Sequence, residues 1–205
     1  MKHATVIVLL LAMMTPSLAS GEPLESGWHK ARERKGIQVY RRPAADSAFK
    51  EFLAVAVLPA SVDQVLTVLQ DVEIGVEWVE NVEQMQLVEQ LDTNRSITYT
   101  YSEAPWPVSD RDAVVLNHYK VDATSGVVRL EQQGVPDALP EVAGAVRVPR
   151  LESLWVLTPL GPEQTQVRYQ VLTDPGGHLP AWLINQVTVS QPYRTLLGLR
   201  SQLTR

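Results

Sequence analysis

The sequence contains no cysteine, which removes disulfides, thiolate metal sites and thiol nucleophiles together. Histidine is nearly as scarce. Beyond the first twenty residues it occurs only as His29, His118 and His178, in separate segments and without metal-ligand spacing. No metal, cofactor or catalytic group is expected. Basic runs are missing too: 18 Lys and Arg face 23 Asp and Glu, a net charge of −5. That balance argues against nucleic acid as a partner and against strong attraction to anionic lipid surfaces. There is no nucleophile elbow, phosphate loop or dinucleotide fingerprint. Gly176-Gly177 reads as a turn before a helix, not as a phosphate cradle.

Long apolar runs are also absent. The longest, residues 4–14, follows Met1-Lys2-His3 and is shorter than the roughly 20 residues a bilayer span needs. A basic start, a short apolar middle and small residues at Ser17 and Ala19 give the three-part plan of a secretory signal peptide over residues 1–19. Cleavage is expected near Ala19, with the mature chain periplasmic or secreted; a retained anchor is the alternative. Residues 20–205 contain no repeat or low-complexity linker and are long enough for one well-cored domain.

What is present is mostly strand-like. Residues 25–34 read as a short opening helix, then residues 37–42 and 49–58 as strands across a turn-rich Pro43-Ala44-Ala45-Asp46-Ser47. Ser61 and Gln64 have capping-box spacing, and Val62, Val65, Leu66 and Leu69 repeat at helical period. A second short helix is expected near residues 75–79. Six β-type runs follow at 82–91, 95–102, 112–121, 127–133, 148–157 and 165–173, separated by turn signals. The connection 134–146 is longer than a hairpin needs, and such loops are often functional. After Asp174-Pro175-Gly176-Gly177, a helix is expected with an apolar stripe through Leu179, Trp182, Leu183, Val187, Leu196 and Leu197. Pro180 suits its first position, and Pro192 should kink or split it. This order fits an α+β fold in which a curved antiparallel sheet holds a long C-terminal helix.

Two segments carry more. Ala104-Pro105-Trp106-Pro107-Val108-Ser109-Asp110-Arg111-Asp112 and Asp174-Pro175-Gly176-Gly177-His178-Leu179-Pro180-Ala181-Trp182-Leu183-Ile184-Asn185 resemble signature segments of START-domain proteins, the StAR-related lipid-transfer family. Weaker resemblance covers residues 28–42 and 78–92. The resemblance implies a helix-grip fold with an internal hydrophobic cavity, roofed by the C-terminal helix and a long loop. It implies a non-enzymatic monomer that binds and transfers a lipid or another hydrophobic molecule and touches membranes transiently. Sterol carriers of the family hold a buried acid–arginine pair in the cavity; the matching positions here are Thr98 and Asn117. Polyketide cyclases and dehydratases share the fold, so an enzyme using the same cavity is an alternative, as is a ligand-sensing accessory protein.

The expected ligand-binding residues are Thr98, Thr100, Arg111, Asn117, Tyr119, Trp182 and Leu183. Ser96, Thr98, Thr100 and Ser102 alternate with bulky residues, so they form one strand face that lines either the cavity or solvent. Arg111 and Asp112 read first as an ion pair pinning the proline-rich turn, second as a headgroup clamp or catalytic pair. Asp110 could accept from backbone amides of that turn. Trp106 and Trp155 read as core, whereas Trp182 would open the lid helix over the ligand.

Overall fold

A computed structural model describes residues 25–205 apart from 105, 107, 178, 179 and 188. The expected signal peptide and its cleavage point lie outside these residues. Among the described residues, ten strands form one sheet: β1 (His29–Arg34), β2 (Ile37–Pro43), β3 (Lys50–Leu58), β4 (Val82–Gln90), β5 (Arg95–Ser102), β6 (Asp110–Val121), β7 (Val128–Gly134), β8 (Ala145–Arg147), β9 (Arg150–Gly161) and β10 (Gln164–Asp174). The spatial order is β1-β2-β3-β10-β9-β7-β6-β5-β4, antiparallel throughout. The short β8 runs parallel to β6, taking the place beside it that β7 leaves after Gly134.

The expected opening helix is a strand. Ala31-Arg32-Glu33-Arg34 has fair helix propensity, but Lys35 and Gly36 both take positive φ, 51° and 69°. A two-residue turn of that kind matches the twist of a hairpin, and it pairs Arg34 with Ile37. Tertiary pairing overrides the local preference.

Helix α1 (Val62–Gln70) is capped as its sequence demands: Ser61 Oγ accepts from Gln64 N at 3.2 Å, and the Gln64 side chain accepts from Ser61 N at 2.8 Å. Helix α2 (Gly75–Trp78) follows. The C-terminal segment is two helices, α3 (Ala181–Val187) and α4 (Ser190–Leu203). Pro192 is the third residue of α4, where its missing N–H costs nothing, and the break lies just ahead of it. Pro180 precedes α3, its carbonyl accepting from Ile184 N at 3.3 Å.

Alternation and register put Ile37, Val39, Ala54, Val167, Trp155, Leu157 and Leu130 on one sheet face. These residues pack against Val65, Trp78, Tyr193, Leu196 and Leu199 of the helices. Each fully buried leucine contributes about 1.5–3 kcal/mol. The close approach of α4 to α2 needs Gly198, since a Cβ there would lie 2.3 Å from Trp78 O.

Candidate functional site

A row of polar side chains crosses the helix-facing side of the sheet. Register aligns Ser96 of β5, Asn117 of β6, Gln132 of β7 and Ser153 of β9. Asn117 Nδ2 donates to Thr98 Oγ1 at 3.0 Å, and Asn117 Oδ1 accepts from Gln132 Nε2 at 2.8 Å. Gln132 Oε1 accepts from Ser153 Oγ at 2.6 Å and from Trp155 Nε1 at 3.1 Å. Asn117 and Ser153 are buried, so these bonds satisfy groups that would otherwise be stranded away from water. The row separates two apolar regions. On one side lies the main core around Leu130, Trp155 and Leu157; on the other a smaller cluster of Ala113, Val115 and Val148 with Leu151.

Thr98 and Asn117 are thus brought together as a neutral hydrogen-bonded pair. Thr100 shares their face and is partly buried, as are Ser96 and Ser102. Tyr119 also shares the face but belongs to the main core, where its hydroxyl donates to Leu69 O at 3.5 Å. Burial pushes its phenol up to about 12. The expected site residues therefore do not form one cluster: Tyr119 and Arg111 stand on opposite sides of the polar row.

Arg111 does not pair with Asp112, because consecutive strand residues point to opposite faces. Its Nε donates to Pro175 O at 3.1 Å and Nη2 to Gly176 O at 3.3 Å, with a further bond from Nη1 to Ser109 O. The guanidinium therefore ties the β5–β6 loop to the turn before α3, and its burial pulls its pKa down. Gly176 and Gly177 take φ of 67° and 74° in that turn. A Cβ on Gly176 would lie 3.1 Å from Pro149 Cδ and 3.2 Å from Val146 Cγ1, so the turn rests on the end of the long loop.

Asp112, on the outer face, pairs instead with Arg147, a residue the sequence reading passed over. Arg147 Nη2 and Nε donate to Asp112 Oδ2 at 2.8 and 3.1 Å, and both side chains are at least 95% buried. Arg147 also donates to Leu139 O at 2.8 Å, Pro140 O at 2.9 Å and Pro136 O. It thereby gathers the loop around the 3₁₀ turn Pro136–Ala138. The available signal was the length of that loop, which needs an internal anchor. Asp110 does hold the proline-rich turn: its Oδ1 accepts from Ala104 N at 2.9 Å and its Oδ2 from Tyr101 Oη at 2.7 Å. Those bonds keep its carboxyl below the usual range and push the Tyr101 phenol up to about 12.

Two tryptophans depart from expectation. Trp155 is core, stacked on Tyr169 with ring centroids 3.9 Å apart. Trp106 is 93% exposed and Trp182 69% exposed, so neither fills the interior. Trp182 borders a shallow recess of about 390 Å³ with Arg41, Ala48, Lys50 and Asn185. Asn185 ties α3 to the start of β3, accepting from Lys50 N at 2.8 Å and donating to Ala48 O at 3.1 Å. Leu183 lies in α3 with its side chain outside the described residues. A recess of about 680 Å³ between β1, α2 and α4 holds none of the expected site residues.

The START domain family model matches residues 11–194. The chain belongs to the START domain family. A crystal structure of the STAR-related lipid transfer protein from Xanthomonas axonopodis superposes with a TM-score of 0.81 at 36% identity, over 87% of this chain and 99% of that one. An uncharacterized protein of Pseudomonas aeruginosa is 35% identical over 183 residues, 89% of each chain. The phosphatidylcholine transfer protein of Mus musculus is 28% identical over 162 residues, covering 77% of this chain and 75% of that one. START domains as a family bind and transfer lipids.

Proposed function

We propose that this protein binds an acyl-chain lipid between the inner sheet face beyond the polar row and the α3 segment, and carries it between membranes outside the cytoplasm without chemical change. The observation that carries the reading is the neutral polar row of Thr98, Asn117 and Gln132, with Asn117 buried at its centre, on an otherwise apolar face of a START domain. Burying one CH₂ is worth about 0.8 kcal/mol, so a 16-carbon chain gains on the order of 12 kcal/mol in an enclosing site. That gain makes departure from a membrane nearly neutral, which a carrier needs. A few polar groups then set selectivity. An enzyme of the cyclase kind needs convergent titratable groups, whereas this row is uncharged. A sterol-type acid–arginine pair is replaced here by Thr98 and Asn117, which favours acyl lipids over sterols.

Membrane contact falls to the two exposed tryptophans. Trp106 and Trp182 flank the segments that Arg111 fastens together, and indoles settle at the headgroup level of a bilayer. The α3 segment would act as the lid, moving against the 135–144 loop. The reading is tested by vesicle-to-vesicle transfer of labelled phosphatidylcholine, with fatty acid and sterol as competitors. Transfer that acyl lipids inhibit more strongly than sterols supports it; tighter sterol binding overturns the ligand class, and lipid turnover to a new product overturns the non-enzymatic role.

A further inference from the structure

The polar row has a direction, and Trp155 sets it. An indole N–H can only donate, so the Gln132 atom 3.1 Å from Trp155 Nε1 must be the carbonyl oxygen. That leaves the Gln132 amide nitrogen facing Asn117, whose facing atom must accept and is therefore Oδ1. The Asn117 amide nitrogen is then turned toward β5. Its other neighbours agree, since Ser96 O at 3.5 Å and Val115 O at 3.4 Å are carbonyls and can only accept. At the end of the row, Thr98 Oγ1 receives the Asn117 proton at 3.0 Å. Its own proton has no acceptor among the described residues. Thr98 is also partly exposed at that end, while Asn117 behind it is enclosed.

We infer that Thr98 is the specificity-determining donor of the lipid site, with its hydroxyl proton directed at an acceptor oxygen of the ligand, an ester carbonyl or a phosphoryl oxygen. This rests on the lipid-carrier reading above and names the polar chemistry that such a site accepts. Gln132 and Trp155 are positioning residues: they hold Asn117 in the orientation that occupies the Thr98 lone pair and leaves its proton free. A neutral donor at the end of a buried row selects an acceptor without the desolvation cost of a charged clamp.

The test measures equilibrium binding of two phosphatidylcholines of equal chain length, one with ester-linked and one with ether-linked chains. Thr98→Val keeps the side-chain shape and removes the hydroxyl, and should weaken binding about 5- to 10-fold, the worth of one hydrogen bond. Asn117→Asp, measured at pH 8.5 with the carboxylate ionised, accepts the Thr98 proton instead of donating to the hydroxyl. It should weaken binding by a similar factor although Thr98 is intact. Thr98→Ser should bind as the wild type does, and melting curves confirm that each variant is folded. If the ester lipid alone loses affinity, the acceptor is a carbonyl; if both lipids lose it equally, the acceptor is a phosphoryl oxygen. Wild-type affinity in folded Thr98→Val, or weakening by Thr98→Val without weakening by Asn117→Asp, overturns the directed proton while leaving lipid carriage standing. Failure of the wild type to take up either lipid counts against carriage itself.

Discussion

Removing the guanidinium of Arg147 leaves the Asp112 carboxylate buried and uncompensated, with Asp112 Oδ1 making no hydrogen bond among the described residues. Arg147→Met should therefore cost about 3–5 kcal/mol in denaturant unfolding, whereas the double change Asp112→Leu with Arg147→Met should recover much of that. A double variant as unstable as the single one would show that the loss lies in the carbonyls of the 135–144 loop, not in the stranded charge. Asp110 makes a different prediction. Its folded pKa is depressed, so its bonds stabilise the fold fully above the ordinary carboxylate range and lose that contribution as pH falls through the folded value. Acid should loosen the β5–β6 loop, and Asp110→Asn should flatten that part of the stability profile. At this scale the sequence spoke unevenly. Asp110 was legible because an acid beside a turn has few other partners. Arg147 and Gln132 were not, since each depends on strand register that no local pattern encodes. Trp106 misled because large aromatics are usually core, and Trp182, expected over the ligand as part of a lid, is instead exposed to solvent.

Elements were read more securely than residues. Alternation and turn signals gave β2 to β7, β9 and β10 to within a few positions, and the Ser61 capping box fixed the start of α1. The misread strand β1 shows the limit: its helix-prone residues are held extended by the Lys35-Gly36 turn and the partner strand. The three-residue β8 was also missed, since a parallel pairing with β6 across a long loop leaves no periodic trace. Two predictions belong here. Gly198→Ala would press a methyl group against the α2 backbone and force α4 outward, costing about 1–3 kcal/mol by thermal or chemical unfolding. An unchanged melting temperature would mean the helices separate freely. In contrast, Trp182→Ala and Trp106→Ala should each shift stability by less than about 0.5 kcal/mol, given their exposure. Lipid transfer between vesicles should nevertheless fall several-fold in both. Transfer at the wild-type rate would remove the tryptophans from the membrane contact.

At the scale of the whole molecule, the expected export makes a prediction of its own: N-terminal sequencing of native protein should find a chain beginning near Ser20, and an intact Met1 on a cytoplasmic protein would overturn it. The helix-grip architecture itself was legible, because one strand-rich span followed by a terminal helical stripe leaves few ways to bury both. The division of the inner face by the polar row has a further consequence. The main core, with α1, α2 and α4, holds most of the buried apolar side chains, while Ala113, Val115, Val148 and Leu151 form a small, separate group beyond the row. On the lipid-carrier reading proposed above, stability and ligand lining are housed in different parts of one sheet. Substitutions in the small group draw on a reserve supplied elsewhere, so its shape can drift without endangering the fold. On that reading, a lineage built on this plan can change the ligand it accepts by altering a handful of side chains while keeping the same folded frame.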